Sequence, residues 1–244
     1  MQEELRQKIA TRTLEHHGIG GMRTQVREAV FGVQDGLTST VGALTGIAAG
    51  TQRIGTVVIA GCVIVCVESL SMAAGSYLSS KSQRQYLERL LKEEEEEIRR
   101  DPEGERQELV EMYRLRGFKD DEIQIIVNRL MSDPKLLLED MAHKELGIST
   151  ENLEEPASNA VIMGVAYIIG GAIPVIPYLL LSLGPAMKVS VFGTLLALFL
   201  FGGLKGRLVR QVWWKSGLEM LTVAGVAALI GFVIGRAADR WISP

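Results

Sequence analysis

Histidine and cysteine are almost missing from this chain: 244 residues contain three of the first and two of the second. So few cysteines exclude a disulfide framework. Cys62 and Cys66 stand four apart in one helical run, a poor geometry for bridging each other. They read either as small residues at a packing face or as soft metal ligands. His16, His17 and His143 form no Glu-x-x-His pair, the motif that carboxylate-bridged di-iron bundles use twice. A membrane-anchored di-iron oxidase is therefore disfavoured. No Gly-rich phosphate loop is present, which leaves ATP-driven pumping without support. The charged start, "MQEELRQKIATRTLEHHGIGGMRTQVRE", holds no short apolar core with a small-residue cleavage site, so the first span is expected to be uncleaved. Nothing in the sequence points to a nucleic-acid partner, and no prosthetic group is expected.

What the chain has in abundance is apolar sequence in long blocks. Hydrophobic residues make up 47% of it and charged residues 23%, with a mean hydropathy of +0.18. Five blocks, at about 30–50, 56–79, 157–182, 189–203 and 217–235, approach or reach the roughly 20 apolar residues that cross a bilayer. The fourth is bounded by Lys188 and Lys205. The expected fold is an all-α membrane protein with five transmembrane helices, multi-pass, plus a cytoplasmic helical metal-binding insert between helices two and three. The expected boundaries are a cytoplasmic N-terminal segment at 1–28, helices one and two at 29–80, the insert at 81–156 and helices three to five at 157–240. Basic residues before the first block, and Lys205, Arg207, Arg210 and Lys215 between the fourth and fifth, place those segments in the cytoplasm by the positive-inside rule. Arg236 and Arg240 argue against the outside location this gives the C-terminal end.

The insert is charged and helical in pattern. "SQRQYLERLLKEEEEEIRRDP" stops at Pro102, "EGERQELVEMYRLRG" at Gly117, "KDDEIQIIVNRLMSD" before Pro134 and "KLLLEDMAHKELG" at Gly147, which predicts about four helices. Leu109, Met112, Tyr113, Ile123, Ile126, Val127, Leu130, Leu137, Leu138 and Met141 recur at helical spacing and predict one small core. Within the spans, Gly42, Gly46 and Gly50 make a small-xxx-small series, suited to close helix packing within a chain or across a dimer. Gly170, Gly171, Pro174 and Pro177 predict a kinked or broken third span.

Few residues in this layout carry chemistry. Asp35 is an acid inside the first span, and an ionisable group in hydrocarbon is costly unless it has a partner or a pathway. Its neighbours Gln34, Thr38, Ser39 and Thr40 suit a hydrated lining, although a buried carboxylate satisfied by those hydroxyls is the plainer alternative. Glu68 and Met72, four apart in the second span, share a helical face. A carboxylate beside a thioether suits a borderline divalent metal; alone, Met72 would be core. In the insert, Glu94 and Glu97, then Glu105 and Glu108, are pairs spaced by three, and Met141 and Glu145 are spaced by four. Helices packed antiparallel across Pro102 would let the carboxylate pairs face each other and attract a cation. The plain alternative is a solvated acidic face, since "EEEEE" begins at Glu93.

"REAVFGVQDGLTST", "SMAAGSYLSSKSQ", "GGAIPVIPY" and the order Glu-x-x-Glu, Glu-x-x-Glu, Met-x-x-x-Glu together resemble the vacuolar iron transporter family, over nearly the whole chain from about residue 23. The resemblance implies a five-span homodimer in the membrane lipid, exporting Fe2+ and often Mn2+ from the cytosol in exchange for protons, with Zn2+ a further candidate. It implies a vacuolar membrane in a eukaryote and a plasma membrane in a prokaryote. Carried over, the translocation residues fall on Asp35 and Met72, and the metal ligands on Glu94, Glu97, Glu105, Glu108, Met141 and Glu145. Glu68 stands on its position alone. This chain departs from members with two consecutive methionines in the last insert helix: Met141 is followed by Ala142 and His143. A membrane-anchored metal sensor or scaffold that binds without transport is the rival reading.

Overall fold

A computed structural model describes residues 2–51, 53–145 and 155–242, with side chains for 24–51, 53–145, 155–222 and 224–237. The described residues form eight α-helices and no strand: α1 (Gln2–Thr51), α2 (Ile54–Arg100), α3 (Pro102–Leu115), α4 (Asp120–Met131), α5 (Pro134–Lys144), α6 (Pro156–Leu180), α7 (Leu183–Leu208) and α8 (Trp213–Ile242). They divide into two compact units, one drawn from residues 1–22 and 79–155, the other from 23–78 and 156–244.

In the first unit, "SQRQYLERLLKEEEEEIRR" is the continuation of α2 rather than a separate helix. The change from apolar to acidic sequence carries no proline or helix-ending glycine, so nothing interrupts the backbone. The other boundaries fall where local chemistry sets them. Asp101 caps α3 by accepting from Gly104 N–H at 3.0 Å, with Pro102 in the first turn. Asp133 caps α5 ahead of Pro134, accepting from Lys135 and Leu136 N–H. The α3 helix closes in a Schellman motif, Phe118 N–H donating to Tyr113 O and Gly117 N–H to Arg114 O. Gly117 sits at φ 88°, where a side chain would be strained. Gly147 lies outside the described residues. All ten residues expected in the core are there: Leu109, Tyr113, Ile123, Val127, Leu130, Leu137 and Met141 are buried, with Met112, Ile126 and Leu138 packed against them. Ile98 joins them from α2. A clasp fastens α5 to α3, the Lys144 ammonium donating to Tyr113 Oη and Asp140 while lying over the Tyr113 ring. Replacing Asp101 by alanine removes the α3 cap and is expected to cost about 1 kcal/mol of stability, read in the thermal unfolding of the intact protein.

The second unit contains the long apolar segments. Among the described residues, four helices are long and apolar enough to cross a membrane: α2, α6, α7 and α8. The described apolar part of α1 falls short in composition because Asp35, Thr38, Ser39, Thr40 and its glycines lower the average. The α7 helix starts earlier and ends later than the 189–203 block, taking in Lys188, which is exposed, and Lys205, which is half-buried. Through Pro174 and Pro177 the α6 helix runs without a break. Ser190 Oγ on α7 donates to Pro174 O at 2.7 Å, tying the two helices together. Leu44, Val57, Val65, Val175 and Ala186 form one core and Leu37, Leu198, Met220 and Ala224 another.

Glycine sets the closest approaches. Gly42, Gly46 and Gly50 all face α8 of the same chain: a Cβ at Gly46 would lie 2.6 Å from Gly231 O, and one at Gly235 only 2.0 Å from Gly46 O. The glycine series is therefore an intrachain seam. On α1 an earlier pair, Gly32 and Gly36, packs in the same way against Met163 and Tyr167 of α6.

Candidate metal-handling residues

The acidic residues of the first unit come together as their spacing suggests. Glu94 is buried near the end of α2 and Glu105 is buried in the first turn of α3, just past the Pro102 turn. Burial pushes the Glu94 carboxyl up to about 7, and the charges of Glu145, Glu105, Glu97 and Glu108 push in the same direction. Glu105 is raised by burial and then by Glu108, Glu145 and Glu97. Glu145, the C-cap of α5, is raised by burial and by Glu108 and Glu97, and lowered by contact with Glu94. All five predicted glutamates thus share one electrostatic neighbourhood. Glu94 Oε1 is buried and meets no donor; a hydrogen bond between the Glu94 and Glu145 carboxyls forms only when one of them carries a proton. Among the described residues no three Asp, Glu, His or Cys side chains close into a ligand cage. Met141 is fully enclosed in the insert core, and Ala142 beside it is equally buried. His143 is exposed.

In the second unit, Asp35 is half-buried on α1 between Gly32 and Gly36, whose missing side chains let α6 approach. Ser39, one turn further on, shares a 2.6 Å hydrogen bond with Tyr167 Oη of α6. Tyr167 is completely buried, and the charges of Glu68 and Asp35 both act on it. Asp35 and Glu68 lie close enough to feel each other. Glu68 is exposed on α2 and Met72 half-buried. The structure therefore groups Asp35, Glu68, Ser39 and Tyr167, with Met72 one turn along α2. A carboxylate on the open side of an apolar helix needs water or another protein surface, because lipid leaves its charge unsolvated. Cys62 and Cys66 are free and exposed, so neither is sealed at a packing face within the chain.

One acidic residue escaped the sequence reading. Glu28 is 7% exposed, accepts from Ser76 Oγ at 2.8 Å and pairs with Arg27 at 3.1 Å. It lies seven residues before Asp35, two turns away on the same face of α1. That spacing was the available signal, hidden because "RE" reads as the charged flank of a span.

A model of the VIT family matches residues 26–236. Vacuolar iron transporter 1 of Eucalyptus grandis is 32% identical over 237 residues, covering 97% of this chain and 94% of that protein. Vacuolar iron transporter 1 of Arabidopsis thaliana is 32% identical over 216 residues, 88% of this chain and 86% of its own length. Vacuolar iron transporter 2 of Oryza sativa subsp. japonica is 31% identical over 242 residues, 98% and 97% of the two chains.

Proposed function

Because the chain belongs to the VIT family, a family of metal-ion transporters rather than enzymes, and is an integral multi-pass membrane protein, we propose that it moves Fe2+ out of the cytosol in exchange for protons. Mn2+ is a second substrate in this reading. In the insert a mostly carboxylate donor set accepts both ions, while its one thioether, Met141 with alanine next to it at position 142, weakens any preference for softer metals.

The observation that carries the proposal is the half-buried Asp35 within electrostatic reach of Glu68. A divalent cation cannot enter hydrocarbon bare, and these acids, with Met72 beside them, offer replacements for its water shell. Asp35 holds either a metal ion or a proton, and that competition couples the two movements. Deprotonation admits the metal from the cytosol, and protonation from the acidic side releases it. Glu28, two turns away on the same face, extends the acidic track. One chain does not enclose this path, since Glu68 is exposed; a second copy closes it, making a homodimer of five-span subunits with α1 as the fifth span. The glutamates of the insert, with Met141, collect metal before it is translocated.

Uptake of Fe2+ into proteoliposomes with an acidic lumen tests this. A sensor or scaffold would bind the ion and transport none, and that result would sink the proposal. The Glu94 carboxyl adds a pH signature. Raised to about 7, it is protonated on the acidic side of that value and must release its proton to bind metal. Affinity at the insert is expected to fall by up to about tenfold for each pH unit below about 7, a limit set by one displaced proton. Titration calorimetry with Mn2+ reads it. In the metal-free protein the sign reverses: a carboxyl harder to ionise when folded lowers stability as pH rises from the ordinary carboxylate range toward about 7. Glu94→Gln should weaken both dependences, leaving the contributions of Glu105 and Glu145, whose carboxyls are raised as well.

A further inference from the structure

The turn joining α7 to α8 has no part in the transport scheme, yet it holds an unusual residue. Like α3, α7 ends in a Schellman motif: Gln211 N–H donates to Gly206 O at 2.8 Å and Arg210 N–H to Arg207 O at 3.2 Å. The motif forces one residue into the left-handed region. In α3 that residue is Gly117; here it is Arg210, at φ 56°, the one non-glycine with positive φ among the described residues. A side chain there is strained, and a glycine would serve the turn better.

The Arg210 side chain lines a recess of about 380 Å3, shared with Gln211, Lys215, Ser216 and Glu219. Ser216 is 3% exposed and its hydroxyl has no hydrogen-bond partner. The recess opens at the first turn of α8, where Lys215 and Ser216 N–H already donate to Val212 O and the positive end of the helix dipole favours an anion. Two cations and an unmatched hydroxyl make a donor set for phosphate. The surroundings are those of a membrane surface. Trp213 and Trp214 are partly exposed at the head of a spanning helix, with Arg207 and Lys215 lying over their rings at 6.0 and 5.6 Å. At the same end of the helix pair a second recess, about 250 Å3, is walled by Phe199, Leu204 and Trp213 with Arg207 lining it too. Free phosphate has no use for an apolar recess, whereas an acyl chain does.

We propose that the α7–α8 turn binds the headgroup of an anionic phospholipid, Arg210 and Lys215 holding the phosphate, Ser216 adding a donor and Glu219 accepting from a headgroup hydroxyl. This site is independent of the metal pathway. The test uses full-length protein in nanodiscs of phosphatidylcholine with a minor share of phosphatidylglycerol, counting the lipids retained by native mass spectrometry. Wild type should keep phosphatidylglycerol in preference to phosphatidylcholine. Arg210→Gly should lower that retention about fivefold, and Arg210→Gly with Lys215→Gln about thirtyfold, as expected for cations at an anionic surface. Arg210→Gly also relieves the backbone, so its thermal midpoint in phosphatidylcholine alone should equal or exceed wild type. Retention unchanged in the double variant overturns the proposal. A fall in the Arg210→Gly midpoint makes the residue structural and does the same. Displacement of the lipid by inorganic phosphate assigns the recess to the free anion and overturns it as well.

Discussion

Proteoliposomes carrying Asp35→Asn protein should take up Fe2+ at no more than about one-hundredth of the wild-type rate, the loss expected when a cation in a poorly solvated site is deprived of its counter-charge. Asparagine keeps the shape and the carbonyl but can neither balance a divalent ion nor exchange a proton for it. Two further measurements keep a general folding defect from mimicking this outcome. Mn2+ binding at the insert should be unchanged, because Glu94, Glu97, Glu105, Glu108 and Glu145 belong to the other unit. Asp35→Glu, which restores the charge on a longer arm, should recover part of the flux and shift its pH dependence. Wild-type uptake by Asp35→Asn would remove the proton-for-metal exchange at that residue from the scheme.

The second large effect lies far from any charge. Gly231→Ala would place a methyl 2.1 Å from Gly42 O, backbone against backbone, with no flexible side chain to yield. Helices α1 and α8 must then separate, which should cost about 1–3 kcal/mol and lower the thermal midpoint of the purified protein. Gly225 on the same helix supplies the control, since a Cβ there meets nothing within 4 Å. Gly225→Ala should be neutral or slightly stabilising. Equal midpoints for the two variants would mean that the glycine seam contributes nothing to stability.

What could be read from the sequence followed from how local each signal is. The insert core was legible because Leu109, Tyr113, Ile123, Val127 and Met141 repeat at the helical period, and that period fixes a buried face whatever it packs against. Pro102, Gly117 and Pro134 marked helix ends because each restricts the backbone at its own position. The continuity of α2 was not legible: a shift from Val, Ile and Cys to Glu and Arg reads as a boundary, although no residue there breaks a helix. Glycine spacing at 42, 46 and 50 announced a close contact but could not name the partner, which depends on α8 at the far end of the chain. Among candidate site residues, the grouping of the insert glutamates followed from spacing across a known turn. The Ser39–Tyr167 hydrogen bond, linking residues 128 positions apart, had no sequence signal.

The seam between α1 and α8 also bears on how the protein is made. Its two sides, near residues 42 and 231, leave the ribosome at different times; at about 5–20 residues per second the interval is roughly ten to forty seconds. During that wait the exposed glycine track of the nascent first helix lies bare to lipid or to an insertion chaperone, and the bundle can lock only once synthesis has delivered its final helix.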